Sequence, residues 1–218
     1  MKKMGIMGGT FDPIHNGHIM LGLCAHEEYG LDQVYYMPSG QPPHKQGKRV
    51  TEASMRAEMV RLAIEPYPQF VFSDFEIKRE GNTYTAQTLA LLNQYHPDTQ
   101  YYFIIGADSL FQILNWYHPE EIFQRAVLLA AARDHTSDSQ LNERIAFLRE
   151  HCGADIRLLH SPNIDVSSEE LRRRIGRGQS VEGYLDSRVE AYIHRHRLYL
   201  IDETPEDRKD GNQNVDGN

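Results

Sequence analysis

The chain has 218 residues, 40% of them hydrophobic and 25% charged, with a formal net charge of -8; this length suits one domain with a substantial apolar core. The acidic balance excludes a broad nucleic-acid-binding surface, which needs a basic stripe, and no run approaches the roughly 20 apolar residues that span a membrane. The two cysteines, Cys24 and Cys152, are too few for a disulfide framework and lack metal-ligand spacing. With no long apolar leader at the N-terminus, a cytoplasmic protein is expected.

Short apolar runs then alternate with helical patterns. Residues 4–7 predict the first strand and 19–29 the first helix; 34–37 predict the second strand, followed by a helix in which Met55, Met59, Leu62 and Ala63 share a stripe, with Thr51 as its cap. Strands are predicted next over 70–73, 101–105, 127–131 and 156–159, all apolar enough to be buried on both faces. Helices fit over 86–94 and over 141–150, where Leu141, Ile145 and Leu148 share a face, with two final helices over 169–175 and 188–195. The alternation predicts a single α/β domain over residues 1–200, built on one doubly wound, mostly parallel sheet. Residues 201–218 hold six acidic and two basic residues and read as a flexible acidic tail. Ligands of such sheets bind beyond the carboxyl ends of the strands, so the loops after Met7, Met37, Ser73, Ile105, Ala131 and Leu159 are the places to search.

The first of these loops carries the strongest signal. Gly8-Gly9-Thr10-Phe11-Asp12-Pro13-Ile14-His15-Asn16-Gly17-His18 joins a strand to a helix. Glycines there admit a phosphate to backbone N–H groups, the helix N-terminus offers its positive dipole end, and His15 and His18 can donate to oxygens of a phosphorus centre. A bare H-x-x-H reads as two surface histidines, and zinc would need a third ligand. The whole string, however, resembles the T/H-x-G-H signature of the nucleotidyltransferase superfamily, in the form used by the nicotinate mononucleotide adenylyltransferases. P-loop and G-x-G-x-x-G motifs are absent.

Further matches to that family follow the chain. Pro42-Pro43-His44-Lys45 is similar to its P-P-H-K loop, whose lysine approaches substrate phosphates; alone it reads as a solvated turn. Gly106-Ala107-Asp108 is similar to a G-x-D whose aspartate binds the adenosine ribose, where a plain helix cap is the alternative. Trp116 and Tyr117 stand where the family has its pyridine platform, and Thr85 where it contacts the nicotinate carboxylate. Val166-Ser167-Ser168-Glu169-Glu170-Leu171-Arg172 resembles I-S-S-T-x-I-R, whose hydroxyls, N–H groups and arginine hold ATP phosphates. Glu169 replaces the family threonine, and Ser167 with Glu170 also fits a capping box. Arg133 aligns with a basic residue of the family's acceptor site.

The resemblance implies a Rossmann-like nucleotidyltransferase fold and an enzyme of NAD biosynthesis. It would transfer AMP from ATP to nicotinate mononucleotide, forming nicotinate adenine dinucleotide and pyrophosphate. His15 and His18 would be catalytic; Gly8, Gly9, Thr10, Phe11, Gly106, Asp108, Ser167, Ser168 and Arg172 would bind ATP; Lys45, Thr85, Trp116, Tyr117 and Arg133 would bind the acceptor. Mg²⁺ would arrive with ATP, since no carboxylate cage for a metal is visible. Donors at Thr85 and Tyr117, without an adjacent Asp or Glu, predict a preference for nicotinate over nicotinamide. Transfer to another phosphate such as phosphopantetheine, or a sensor without turnover, are the rival readings; no nucleic-acid or membrane partner is expected, and a homo-oligomer is left open.

Overall fold

The computed structural model describes residues 1–41, 50–131, 138–162 and 166–200. Six strands form one sheet, β1 (Lys2–Gly9), β2 (Gln33–Pro38), β3 (Phe70–Phe72), β4 (Thr99–Gly106), β5 (Ala126–Ala131) and β6 (Ile156–Leu159). Their order is β3-β2-β1-β4-β5-β6, and every neighbouring pair is parallel. This is the doubly wound Rossmann order, with its reversal between β1 and β4. The crevice therefore opens where the chain leaves Gly9 and Gly106.

Alternate strand residues feed two separate cores, because side chains in a strand point to opposite faces. Met7, Tyr102, Ile104 and Leu129 pack on one face and Ile6, Phe103, Ile105 and Leu128 on the other. Helices cover both. The first face carries α1 (Asn16–Tyr29), α2 (Ala53–Ile64), α7 (Ser168–Gly176) and α8 (Ser187–Arg195); the second carries α3 (Thr85–Tyr95), α4 (Ala107–Gln112), α5 (Pro119–Arg125) and α6 (Asp138–Cys152). β5 is buried along its whole length, as a strand covered on both faces should be, whereas the edge strands β3 and β6 are only half-buried. Among the described residues no helix is long and apolar enough to cross a membrane.

All six predicted strands are present, and the six predicted helices agree to within a few residues at their ends. Two short helices, α4 and α5, and a 3₁₀ turn at Ile113–Asn115 occupy a stretch for which the sequence predicts no element. Pro119 starts α5, where its missing N–H costs nothing. Thr51 does not cap α2: Glu52 takes that position with no side-chain cap, while Thr51 gives its N–H to Asp12 and its carbonyl to Arg56. Ser167 does cap α7 through Glu170 N–H at 3.1 Å, but the Glu170 carboxylate pairs with Arg173 and Arg174 instead of returning to the cap. The acidic tail, Lys45 and Arg133 lie outside the described residues.

Candidate active site

The loop after β1 is anchored at almost every residue between its glycines and α1. Arg56, on α2 and 1% exposed, donates Nη1 to Thr10 O at 2.6 Å, Nη2 to Ser39 O at 2.9 Å and Gly40 O at 3.2 Å, and Nε to Thr51 O at 2.8 Å. One guanidinium thus ties the loops after β1 and β2 to the start of α2. Its burial disfavours the charged form, and the nearby Asp12 carboxylate opposes that effect. Asp12, itself 2% exposed, accepts from Tyr199 Oη at 2.7 Å and Thr51 N at 3.3 Å, and its carbonyl accepts from Arg172 Nη1 at 2.6 Å. Pro13 O accepts from Ser168 Oγ at 2.9 Å. Burial, followed by the Asp12 charge, pushes the Tyr199 phenol well above its usual range, so it stays a donor.

These ties hold the histidines. His15 caps α1 in an extended conformation, and its N–H donates to His18 Nδ1 at 3.2 Å. A neutral imidazole whose Nδ1 accepts must carry its proton on Nε2, so His18 presents Nε2–H as a donor. The two rings lie 3.8 Å apart, and Phe11 packs edge-on to His18 at 5.0 Å. Gly17 leaves room for this stack, since a Cβ there would sit 3.0 Å from the His15 ring and press on it. Gly22, one turn on, leaves room for the Tyr36 hydroxyl, which bonds His18 O at 2.9 Å and fastens the helix start to the sheet.

Two cavities adjoin at this loop. The smaller, about 220 Å³, is lined by His15, Gly17, His18, Gly106, Asp108 and Val166 among others. The larger, about 620 Å³, is lined by Gly9, Thr10, Ser39, Glu76, Thr83, Thr85 and Tyr117 among others. Gly8, Phe103, Ser109 and Trp116 belong to both walls. Trp116 is half-buried, set edge-on to Phe103 at 6.3 Å, which fixes the indole between the two spaces. Tyr117 stacks on Tyr84 at 4.4 Å, at the outer rim.

The sequence-predicted residues thus divide between the cavities, with four exceptions beside the two outside the described residues. Phe11 lies behind His18 and on neither wall; Ser167 caps α7; Ser168 and Arg172 hold the Asp12-Pro13 carbonyls. Sequence reasoning missed Phe103 and Ser109 on the shared wall, and the Arg56, Asp12 and Tyr199 network behind it. Arg56 had a signal: it shares helical spacing with Met59, Val60 and Ala63, all buried.

Glu76 is a correction. The expectation that no carboxylate attends Thr85 and Tyr117 rests on nearness in the chain, but Glu76, 9% exposed, lines the same cavity. Its Oε1 accepts from Thr88 Oγ1 at 2.7 Å, and Thr88 accepts from Arg79 Nη1 at 3.0 Å. Burial raises the Glu76 carboxyl above its ordinary range, opposed by the Thr88 and Thr83 hydroxyls and the Arg79 charge. Among the described residues no cluster of three His, Cys, Asp or Glu could hold a metal ion.

Comparison with known proteins places this geometry in context. The cytidylyltransferase-like family model matches residues 6–174. A "probable nicotinate-nucleotide adenylyltransferase" of Lachnoclostridium phytofermentans is 45% identical over 200 residues, spanning 92% of this chain and 100% of its own. One of the same name from Clostridium tetani is 37% identical over 91% of this chain and 100% of its own. A Plasmodium falciparum nicotinic acid mononucleotide adenylyltransferase, solved as a complex with NaAD, superposes with a TM-score of 0.74 at 21% identity, covering 91% of this chain and 98% of that one, and so shares the fold.

Proposed function

The chain belongs to the nicotinate-nucleotide adenylyltransferases within the cytidylyltransferase-like family, and on that premise we propose that it transfers AMP from ATP to nicotinate mononucleotide, one substrate in each of the two adjoining cavities. The observation that carries this reading is the shared wall of Gly8, Phe103, Ser109 and Trp116, which lets two ligands meet beside the histidine pair. The acceptor's phosphate oxygen attacks the α-phosphorus of ATP, and pyrophosphate leaves in line. That nucleophile is already an anion at neutral pH, so catalysis needs positioning and charge stabilisation more than a strong base.

His15 and His18 flank the α-phosphate, with the His18 Nε2–H donating to an oxygen as charge redistributes. Gly8 and the α1 N-terminus receive the phosphates. Asp108, in the first turn of α4, accepts from the adenosine ribose. The acceptor ring stacks on Trp116, with its carboxylate towards Thr85 and Tyr117. Lys45 serves the phosphates, as does Arg172 with the donors not committed to Asp12. Arg133 takes part in acceptor binding. Mg²⁺ brought by ATP would add positive charge at the phosphates there.

The test is pyrophosphate release with ATP and a panel of nicotinate mononucleotide, nicotinamide mononucleotide and phosphopantetheine. The nicotinate compound should be used at least about tenfold more efficiently than the nicotinamide one, since turning an amide NH₂ towards donors leaves them unpaired. Activity with phosphopantetheine alone, or with none of the three, would overturn the proposal.

A further inference from the structure

The larger cavity contains polar groups that nothing so far uses. Ser39 Oγ is buried without a hydrogen-bond partner, on a residue 8% exposed, and it lines this cavity beside Glu76 and the buried Thr83, whose hydroxyl faces the Glu76 carboxylate. Orphaned buried hydroxyls are rare in folded proteins, and one on a cavity wall, next to a buried carboxylate with a further oxygen to offer, points to a ligand that completes it. Thr83 lies next to the Glu76 carboxylate, which commits one oxygen to Thr88. Gly40 packs so closely that a Cβ there would lie 2.7 Å from Glu76 O, and this brings Ser39 to the same cluster.

The position of the cluster identifies the ligand's chemistry. Ser39 N–H bonds Gly9 O at 2.9 Å, so the cluster borders the phosphate-binding loop on one side. Thr83 is two residues from Thr85, at the ring-binding end, and its N–H bonds Gln41 O at 3.4 Å. What lies between ring and phosphate in a mononucleotide is its ribose. We infer that Ser39, Thr83 and Glu76 form a subsite for the ribose hydroxyls of the acceptor. A carboxylate accepts from one hydroxyl, while Ser39 and Thr83 donate to or accept from that hydroxyl and its neighbour. Arg79 acts through Thr88 to orient the carboxylate. The inference rests on the larger cavity being the acceptor site.

Kinetics of the full chain with nicotinate mononucleotide and its 2′-deoxy and 3′-deoxy analogues test it. Glu76→Gln should raise KM for nicotinate mononucleotide about tenfold, on the scale of one charge-assisted hydrogen bond, while KM for ATP and the ratio between nicotinate and nicotinamide acceptors hold. On the analogue lacking the partner hydroxyl the substitution should have no further effect. Equal losses on all three substrates would show a merely structural role, and a changed nicotinate-to-nicotinamide ratio would show that Glu76 faces the ring substituent; either overturns the inference. Should Glu76→Gln fail to fold, Ser39→Ala removes an unpartnered hydroxyl and should still raise KM about threefold on the parent substrate and not on one analogue. A parent enzyme inactive with nicotinate mononucleotide would sink the acceptor reading itself; an active parent indifferent to these changes would sink only the subsite.

Discussion

Arg56→Met removes a buried guanidinium while keeping an unbranched apolar stem of similar reach. Four carbonyls, of the buried Ser39 and the half-buried Thr10, Gly40 and Thr51, lose their donor, and the buried Asp12 carboxylate loses its nearby cation. Each orphaned carbonyl would cost about 1–3 kcal/mol if nothing replaced its bond, but water entering the space recovers part of that sum. Removal of one partner from a buried ionic network costs about 3–5 kcal/mol, and we take that range for the whole change. In a domain of this size each kcal/mol lowers Tm by about 2–4 °C, so the expected drop is about 6–20 °C. Scanning calorimetry measures it. Arg56→Lys, with three donors and no fork, should fall between the parent and Arg56→Met. Because Thr10 and Ser39 line the larger cavity, Arg56→Met assayed cold, where it is folded, should also raise the acceptor's KM more than that of ATP. A melting temperature within about 3 °C of the parent, on the order of 1 kcal/mol, would refute the clamp.

His18→Ala should lower turnover about 10²- to 10³-fold with ATP affinity little changed, because its bond strengthens in the transition state; near-normal kcat would remove it from the mechanism. Trp116→Ala should weaken the acceptor by about 1–3 kcal/mol in titrations, with a smaller effect on ATP because the indole borders both cavities. Tyr199→Phe strips a donor from the buried Asp12 carboxylate and should cost about 1–3 kcal/mol in denaturant unfolding, whereas truncation after Leu200 should leave Tm within about 4 °C. Asp186, the cap of α8, is paired with Arg188, which holds its carboxyl below the ordinary value of 3.8. A depressed carboxyl stabilises the fold above its unfolded pKa and loses that contribution as pH falls through the folded one. Asp186→Asn should therefore be about 0.5–1 kcal/mol less stable near neutral pH, with the difference vanishing as pH falls below 3.8; a gap independent of pH would contradict the pairing.

The sequence by itself determined the sheet and singled out the loop that opens the candidate site. Central strands such as β5 read clearly because burial on both faces demands an unbroken apolar run, and Gly8 to His18 could be matched to a family motif because its glycines and histidines lie in one short string. The helices α4 and α5, of six and seven residues, were illegible because fewer than two turns leave no period to detect. Arg56 was missed because arginine is ordinarily an exposed residue, and its place on the apolar stripe gains a meaning only when four carbonyls are brought to it. Only the tertiary structure decided which residues share a wall. Tyr199 reaches Asp12 across 187 positions, and Glu76 joins Ser39 and Thr83 through the packing of Gly40. Local patterns report the period of a strand or helix, whereas contacts between loops follow from how the finished sheet and helices aim them, and no window along the chain contains that information.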